Sequence, residues 1–387
     1  MSQLYIYKNA LNKIIENKKI KDAGGYIGIP FPFESLNRNL GAIQQGTYYL
    51  VTANSGISKS KFTRYVFIYS VYKFYVDTGY PVQIIYLPLE DSTEEVMFNM
   101  MCFYLKDKYN MNITAQHLAQ LGEYNLSNSV VKKLEEAEGY FADLFSILTI
   151  VDSASTPSQI LNIGKSWAES NGEIKQKLDK SGNSQIVSYK KTSNVHTIFM
   201  VDNYSNIDTD THHKSHHEAV SELSRNIARK IFVKKFGFTY VAVQQQSQAK
   251  EKVQYANNGR LLYEKFEPSL GDLADVLTTQ RDCHVALGLF SPERYGLEEY
   301  WNYNIKALSE FFRSVKILKS NRSAAVGKII PLWFEGGVEY YEQLPFASGK
   351  DSEGKILPPS PELVAYYQKA QDIRSKKSGQ QLKILEG

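Results

Sequence analysis

Between Ala53 and Ser60 the chain reads Ala53-Asn54-Ser55-Gly56-Ile57-Ser58-Lys59-Ser60, after the apolar run of residues 47–52 and before a helical pattern. A loop in that place turns successive backbone N–H groups and the positive end of the helix toward one point, which suits a phosphate. Lys59 is placed to reach the outer phosphates of a nucleotide, and the Ser60 hydroxyl to ligate Mg²⁺. The wording departs from G-x-x-x-x-G-K-[ST], because Ala53 and Ser58 stand at its two glycine positions.

Three further apolar runs end in polar groups of the matching kind. IFMV ends in Asp202, where a carboxylate would face the Mg²⁺. IIYLPL ends in Glu90, a candidate general base for an attacking water. TYVAV ends in Gln244 and Gln245, neutral groups suited to sensing a γ-phosphate. The ends of parallel strands are where an open α/β sheet binds its ligands.

The elements needed to hold these groups are legible as a pattern. Residues 47–52, 82–89, 146–151, 196–202 and 239–244 are expected strands. Helical spacing is expected over 61–77, 92–108, 130–144, from 156 onward and over 218–236. Strands alternating with helices call for parallel pairing with helices on both faces. Shorter runs near 284–290, 315–319, 328–334 and 338–342 suggest antiparallel strands added at one sheet edge. Residues 171–194, polar and containing SGNS, read as a loop insertion or a frayed helix end. The fold class expected is α/β, a mostly parallel sheet flanked by helices with C-terminal antiparallel edge strands. Its division is a helix in residues 1–25, a core over 26–345 and a weakly ordered tail over 346–387 with one helix near 361–375.

Composition excludes several classes. A chain of 387 residues with 43% hydrophobic and 13% aromatic residues has the material for a large core, so disorder throughout is excluded. Its 45 basic and 41 acidic residues leave +4, too little to imply a polyanion partner unless the charge is local. Cys102 and Cys283 lie far apart in apolar runs and read as core residues in a reducing compartment. No apolar run approaches the roughly 20 residues of a membrane span, and the N-terminus lacks a secretory pattern, so a cytoplasmic protein without a membrane partner is expected. Four of seven histidines fall in His212-His213-Lys214-Ser215-His216-His217, whose spacing could hold a metal through i, i+4 pairs, but which read as a solvated or channel-facing loop because no carboxylate or cysteine triad accompanies them.

In order and wording these segments resemble the RecA-like motor domain of replicative DnaB-type hexameric helicases. Phe33-Glu34-Ser35-Leu36-Asn37 with Leu40-Gly41-Ala42-Ile43 is similar to that family's lead-in to its phosphate loop. YLPLEDST carries Glu90 where the family has its catalytic glutamate, FMVDNYSNI carries Asp202, and VAVQQQSQ places Gln245 at the motif glutamine. The run Glu267 to Leu273, then Gln280-Arg281-Asp282-Cys283-His284, follows the family's next helix and strand. Leu318-Lys319-Ser320-Asn321-Arg322 resembles the segment that presents Lys319 and the finger Arg322 to ATP held by the neighbouring subunit. The likeness covers about residues 33–341 in collinear order. Ser58 departs from it, standing where the family has glycine.

The resemblance implies an ATP- and Mg²⁺-dependent DNA helicase, phage-type in its trimmed N-terminus, acting as a ring, a hexamer, on single-stranded DNA. A primase or helicase loader would be a further partner, and the host cytoplasm the location if the gene is a phage's. It also implies that the stretch carrying Lys250, Lys252, Arg260 and Lys265 faces the central channel, where these cations would neutralise DNA phosphates. The helix of residues 1–22 resembles the linker helix that packs on the adjacent subunit. Two other readings stay open: a RecA-like DNA-dependent ATPase that does not unwind, and a nucleotide-binding ring or scaffold that does not turn over.

Overall fold

The computed structural model describes residues 3–122, 124–178, 184–247, 265–274, 276–349 and 356–385. In chain order the strands are β1 (Tyr48–Ala53), β2 (Val82–Pro88), β3 (Leu148–Ile150), β4 (Gly172–Leu178), β5 (Ser184–Lys191), β6 (His196–Asp202), β7 (Thr239–Gln245) and β8 (Val285–Phe290). They continue with β9 (Glu299–Tyr300), β10 (Tyr303–Asn304), β11 (Phe312–Ser320), β12 (Ile329–Glu335) and β13 (Tyr340–Gln343). Nine of them form one sheet in the order β13-β12-β11-β8-β1-β7-β6-β2-β3. The six from β8 to β3 run parallel, and β11, β12 and β13 add antiparallel pairs.

The burial of these strands explains their composition. Every residue of β1, β6 and β8 is buried, so the runs YYLVTA, HTIFMVD and VALGLF carry apolar side chains toward both faces with little alternation. One face packs Val51, Ile84 and Met200 against the helices that follow β1 and β2. The other packs Leu50, Phe199 and Tyr240 against helices on the opposite side.

Helix starts follow written signals. Thr93–Tyr109 begins with a reciprocal cap: Glu95 N–H donates to Ser92 Oγ at 3.2 Å, and Ser92 N–H donates to Glu95 Oε2 at 2.9 Å. Pro157–Ser170 repeats this with Thr156 and Gln159 and has proline in its first turn.

Three expectations are corrected. Residues 171–194 are not a loop or frayed helix: β4 and β5 pair antiparallel from Gly172↔Lys191 to Leu178↔Ser184. Ile174, Ile186 and Tyr189 hold that ribbon on the second core, and a register shift that skips the exposed Val187 breaks the alternation that would have marked the strands. The run near 284–290 is not an antiparallel edge strand, since β8 pairs parallel with β1 through Tyr49↔Val285 to Thr52↔Gly288. The single helix expected over 130–144 is two, Asn128–Glu135 and Glu138–Ile147.

At the C-terminus, Pro361–Leu385 is a helix whose Leu363 and Ala370 are buried in a third cluster with Phe311 and Trp333. Gln3–Asp22 is a helix with no buried residue. No helix among the described residues is long and apolar enough to cross a membrane.

Candidate nucleotide site

Parallel register brings the ends of β1, β2, β6 and β7 to one edge of the sheet. Thr52 lies opposite Gln244, Ala53 opposite Gln245, and Pro88 opposite Asp202. The loop leaving β1 turns through two left-handed residues, Gly56 at φ 71° and Ser58 at φ 72°, and Lys59 opens the helix Lys59–Arg64. That helix runs on through Tyr65–Tyr69, wound more widely, into Ser70–Thr78.

Of the residues expected to act together, Lys59, Ser60, Asp202 and Glu90 are brought together. Ser60 Oγ donates to Asp202 Oδ1 at 3.0 Å. Asn203 Nδ2 donates to Glu90 Oε2 at 3.1 Å, tying the ends of β2 and β6. Burial pushes the Lys59 ammonium below its usual pKa range, against the pull of Glu90 and Asp202. Burial likewise raises the Asp202 carboxyl to about 6, although the nearby Arg64 guanidinium and the Ser60 and Tyr86 hydroxyls oppose it. Asp202 is 1% exposed, and its hydrogen bonds come from neutral hydroxyls, Ser60 and Tyr86. A buried carboxylate and a serine hydroxyl 3.0 Å apart form the hard-oxygen pair that a Mg²⁺ ion takes.

Elsewhere in the loop, Ile57 is buried, Asn54 Nδ2 donates to the Tyr295 hydroxyl, and the Ser55 carbonyl accepts from Arg294 Nη1. Gly56 is suited to this position by its positive φ, and the Arg294 guanidinium lies over it. Gln244 is occupied: its amide Nε2 donates to Val276 O at 3.0 Å, and its Oε1 accepts from Thr279 Oγ1 at 2.6 Å. Gln245, next along β7, is half-buried.

Lys319 and Arg322 are not brought to this loop. Lys319 Nζ donates to the carbonyls of Gln280 and Cys283 at 2.6 and 2.7 Å, and Arg322 Nη1 donates to Gln44 Oε1. Both stand where β11 ends, at the opposite edge of the sheet. Lys250, Lys252 and Arg260 lie outside the described residues, and Lys265 is exposed.

Sequence reasoning missed the group that backs the site. Arg64, 1% exposed, donates to Glu339 Oε2 and Oε1 at 3.0 and 2.6 Å, to the Tyr86 hydroxyl at 3.0 Å and to Asp91 Oδ2 at 2.8 Å. Tyr86 OH then donates to Asp202 Oδ2 at 3.2 Å. The signal available was one arginine a helical turn after Ser60, in a helix otherwise turned into the core. Arg294 and Tyr295 were also missed, because they are far along the chain from the loop they touch.

The structure is similar to two solved ones. The first, described as an ATPase domain, matches with a TM-score of 0.61 and 18% identity over 87% of this chain and 98% of that one. The second, a DnaB-like replicative helicase described with its interactions with primase, matches with a TM-score of 0.58 and 18% identity over 86% of this chain. This chain spans 65% of that helicase. No family model and no curated protein matches the sequence. The chain shares with these two structures its fold, a mostly parallel sheet between helices with antiparallel strands at its C-terminal edge.

Proposed function

We propose that the chain is an ATP-dependent DNA helicase motor that forms a ring, a hexamer, on single-stranded DNA and hydrolyses ATP between subunits. The observation that carries this reading is the Ser60–Asp202 hydrogen bond of 3.0 Å beside the buried Lys59, with Glu90 at the neighbouring strand end. Residues 53–60 would wrap the phosphates with their backbone N–H groups, and Lys59 would neutralise the outer ones. Ser60 and Asp202 would hold Mg²⁺, which supplies charge neutralisation between the two outer phosphates. Glu90, steadied by Asn203, orients and deprotonates the attacking water, and Gln245 reports the γ-phosphate to the segment that follows β7.

Arg322, with Lys319, completes the site of the next subunit. The placement of both residues at the far edge of their own sheet supports this. The helix Gln3–Asp22 presents Leu4, Ile6, Tyr7 and Ile14 to solvent, which supports its docking on a neighbour as a linker within residues 1–25. Residues 26–345 then form the motor and 346–387 a C-terminal appendage. Lys250, Lys252, Arg260 and Lys265 neutralise DNA phosphates in the channel, and a primase or loader is the further partner.

One observation favours a second reading, a ring that binds nucleotide without turnover: Ser58 holds a left-handed conformation that glycine adopts freely. ATP hydrolysis by the full chain, with and without single-stranded DNA, separates the two. DNA-stimulated turnover that Lys59→Ala abolishes supports the motor. Silence in the wild type with activity in Ser58→Gly supports the ring without turnover.

A further inference from the structure

The loop after β6 does more than connect. Asp208 Oδ2 accepts from Ser155 Oγ at 2.6 Å and Asp210 Oδ2 accepts from Ser158 N–H at 3.0 Å, which pins the loop to the start of the helix Pro157–Ser170. His212 and His213 then turn their rings side by side, centroids 4.1 Å apart, toward the helix His216–Glu222. His212 Nε2 and His213 Nε2 lie 3.1 and 2.8 Å from one atom, Glu222 Oε2. Ligand atoms of Asp210, His212 and His213 also fall within 4.8 Å of one another. Asp210 stands two residues before His212 in the sequence, and the fold adds Glu222 from the following helix.

We propose that His212, His213 and Glu222 form a binding site for a divalent transition-metal ion of the zinc class, with Asp210 as the carboxylate behind His213. Two imidazole nitrogens and one carboxylate oxygen are donors that zinc accepts, with water filling the fourth position. At Zn–N and Zn–O distances of about 2.0–2.1 Å, adjacent ligand atoms in a tetrahedron are about 3.3 Å apart. The two edges to Glu222 Oε2, 3.1 and 2.8 Å, are within half an ångström of that. The His213 side chain is 3% exposed and so already fixed, while Glu222 at 36% and His212 at 58% leave the water side open.

The proton movement balances. Without metal, His213 Nδ1 accepts from the Asp210 N–H at 3.0 Å, so Nε2 carries the ring proton and donates to Glu222. On loading, the metal takes the Nε2 lone pair of each neutral imidazole and the ring proton moves to Nδ1. For His213 the bond from Asp210 N–H is given up, and Nδ1 becomes a donor facing Asp210 Oδ2, now 3.9 Å away. Closing that distance to hydrogen-bond length would give the carboxylate–histidine–metal relay that orients zinc-binding imidazoles. The ion would staple the loop that follows Asp202 to the helix His216–Glu222.

The test is a Co²⁺ titration of the full chain, stripped with chelator and held in Mg²⁺-free buffer, read by d–d absorption. The wild type is expected to show the intense visible band of four-coordinate Co²⁺, erased by one equivalent of Zn²⁺. His213→Ala and Glu222→Gln should lose the band, the second keeping a hydrogen-bond partner for the histidines and so the fold, which circular dichroism checks. Asp210→Asn should weaken Co²⁺ binding about 10–100-fold, and His217→Ala, at an exposed neighbouring histidine, should leave it unchanged. The proposal is overturned if the wild-type spectrum matches that of Glu222→Gln, or if the band disappears in His217→Ala or in Asp202→Asn instead. The readout is independent of ATP turnover, so it stands or falls apart from the motor reading.

Discussion

Two edges of the same sheet carry opposite halves of the proposed nucleotide site, and they are built differently. At the strand ends, Lys59, Ser60, Glu90 and Asp202 come from three elements and are locked by side-chain bonds over a buried Arg64. At the strand starts, Lys319 near the end of β11 and Arg322 just past it are placed by that strand's antiparallel direction, which sets Ser320 opposite Val285, the first residue of β8. Asn321 N–H there donates to the carbonyl of His284, and Arg322 donates to the neutral side chain of Gln44. One edge gathers carboxylates around the loop after β1, and the other presents cations bonded to neutral oxygens. The antiparallel direction of β11 sets the two groups at opposite edges within one chain, so in the proposed ring a second copy would reunite the halves.

The sharpest way to break that comparison is by mixing. Arg322→Ala should lower kcat about 10³-fold, as expected when an arginine that steadies a phosphoryl-transfer transition state is removed. Lys59→Ala should lower it at least about 100-fold. Because the two residues would act in different subunits of one site, mixed rings of the two inactive variants contain some interfaces with both residues intact. Such mixtures should regain a measurable fraction of wild-type turnover. If Arg322→Ala is as active as the wild type, the two edges do not cooperate and the comparison collapses.

The second test weighs what locks the strand-end edge. Burial alone would raise the Glu339 carboxyl, but the Arg64 guanidinium overrides it and holds that carboxyl below its usual range. Removing one partner strands a charge in the core, so Glu339→Gln should cost about 3–5 kcal/mol in chemical denaturation. Replacing the more exposed Asp91 by Asn should cost far less. Equal, small losses would mean that the pair does not stiffen the site.

The same contrast explains what the sequence disclosed. The strand-end groups were legible because each closes an apolar run: Asp202 and Gln245 are the last residues of β6 and β7, Glu90 lies two residues past β2, and Lys59 opens a helix. The backing was not legible, since Arg64, Tyr86 and Glu339 form one network from three distant segments and read singly as core or surface residues. The ribbon of β4 and β5 escaped notice because only Ile174, Ile186 and Tyr189 of its residues face the core. Helix limits were legible where caps are written, as at Ser92 and Thr156, and blurred at Glu136–Ala137, where two helices meet without one.

The strand-start edge has its own vulnerability, to acid. His196 begins β6 fully buried, with Nε2 2.7 Å from Thr239 Oγ1, and burial lowers its pKa to about 3, with Lys191 adding to the effect. Above the unfolded value of about 6.5 both states hold it neutral, and it adds no pH dependence. As pH falls below that value the unfolded chain binds a proton that the folded chain refuses, so stability drops until the folded pKa is reached. Between pH 6.5 and 5 this amounts to about 2 kcal/mol at 1.36 kcal/mol per unit. Denaturation at the two pH values should show His196→Gln losing correspondingly less than the wild type; identical slopes would locate the acid sensitivity elsewhere.

The smallest expected effect bears on the most informative residue. Ser58 sits at φ 72° and ψ 44° immediately before Lys59, a conformation costing about 1–2 kcal/mol for a residue with a Cβ. Its carbonyl is held by Phe62 N–H at 3.0 Å and by the Tyr341 hydroxyl at 3.3 Å, so the surroundings impose the pose rather than the residue. Ser58→Gly should therefore stabilise the fold by about 1 kcal/mol, reduced by the greater freedom glycine has when unfolded. The gain should be measurable in denaturant without nucleotide. Repeating it with a non-hydrolysable ATP analogue separates strain from crowding: an equal gain in both means that the serine is merely strained. A larger gain with the analogue means that its side chain presses on the phosphates, and the strand-end edge is then the half that limits turnover. No gain in either would show that the loop accepts serine there at no cost, and the ring without turnover would lose the observation that favours it.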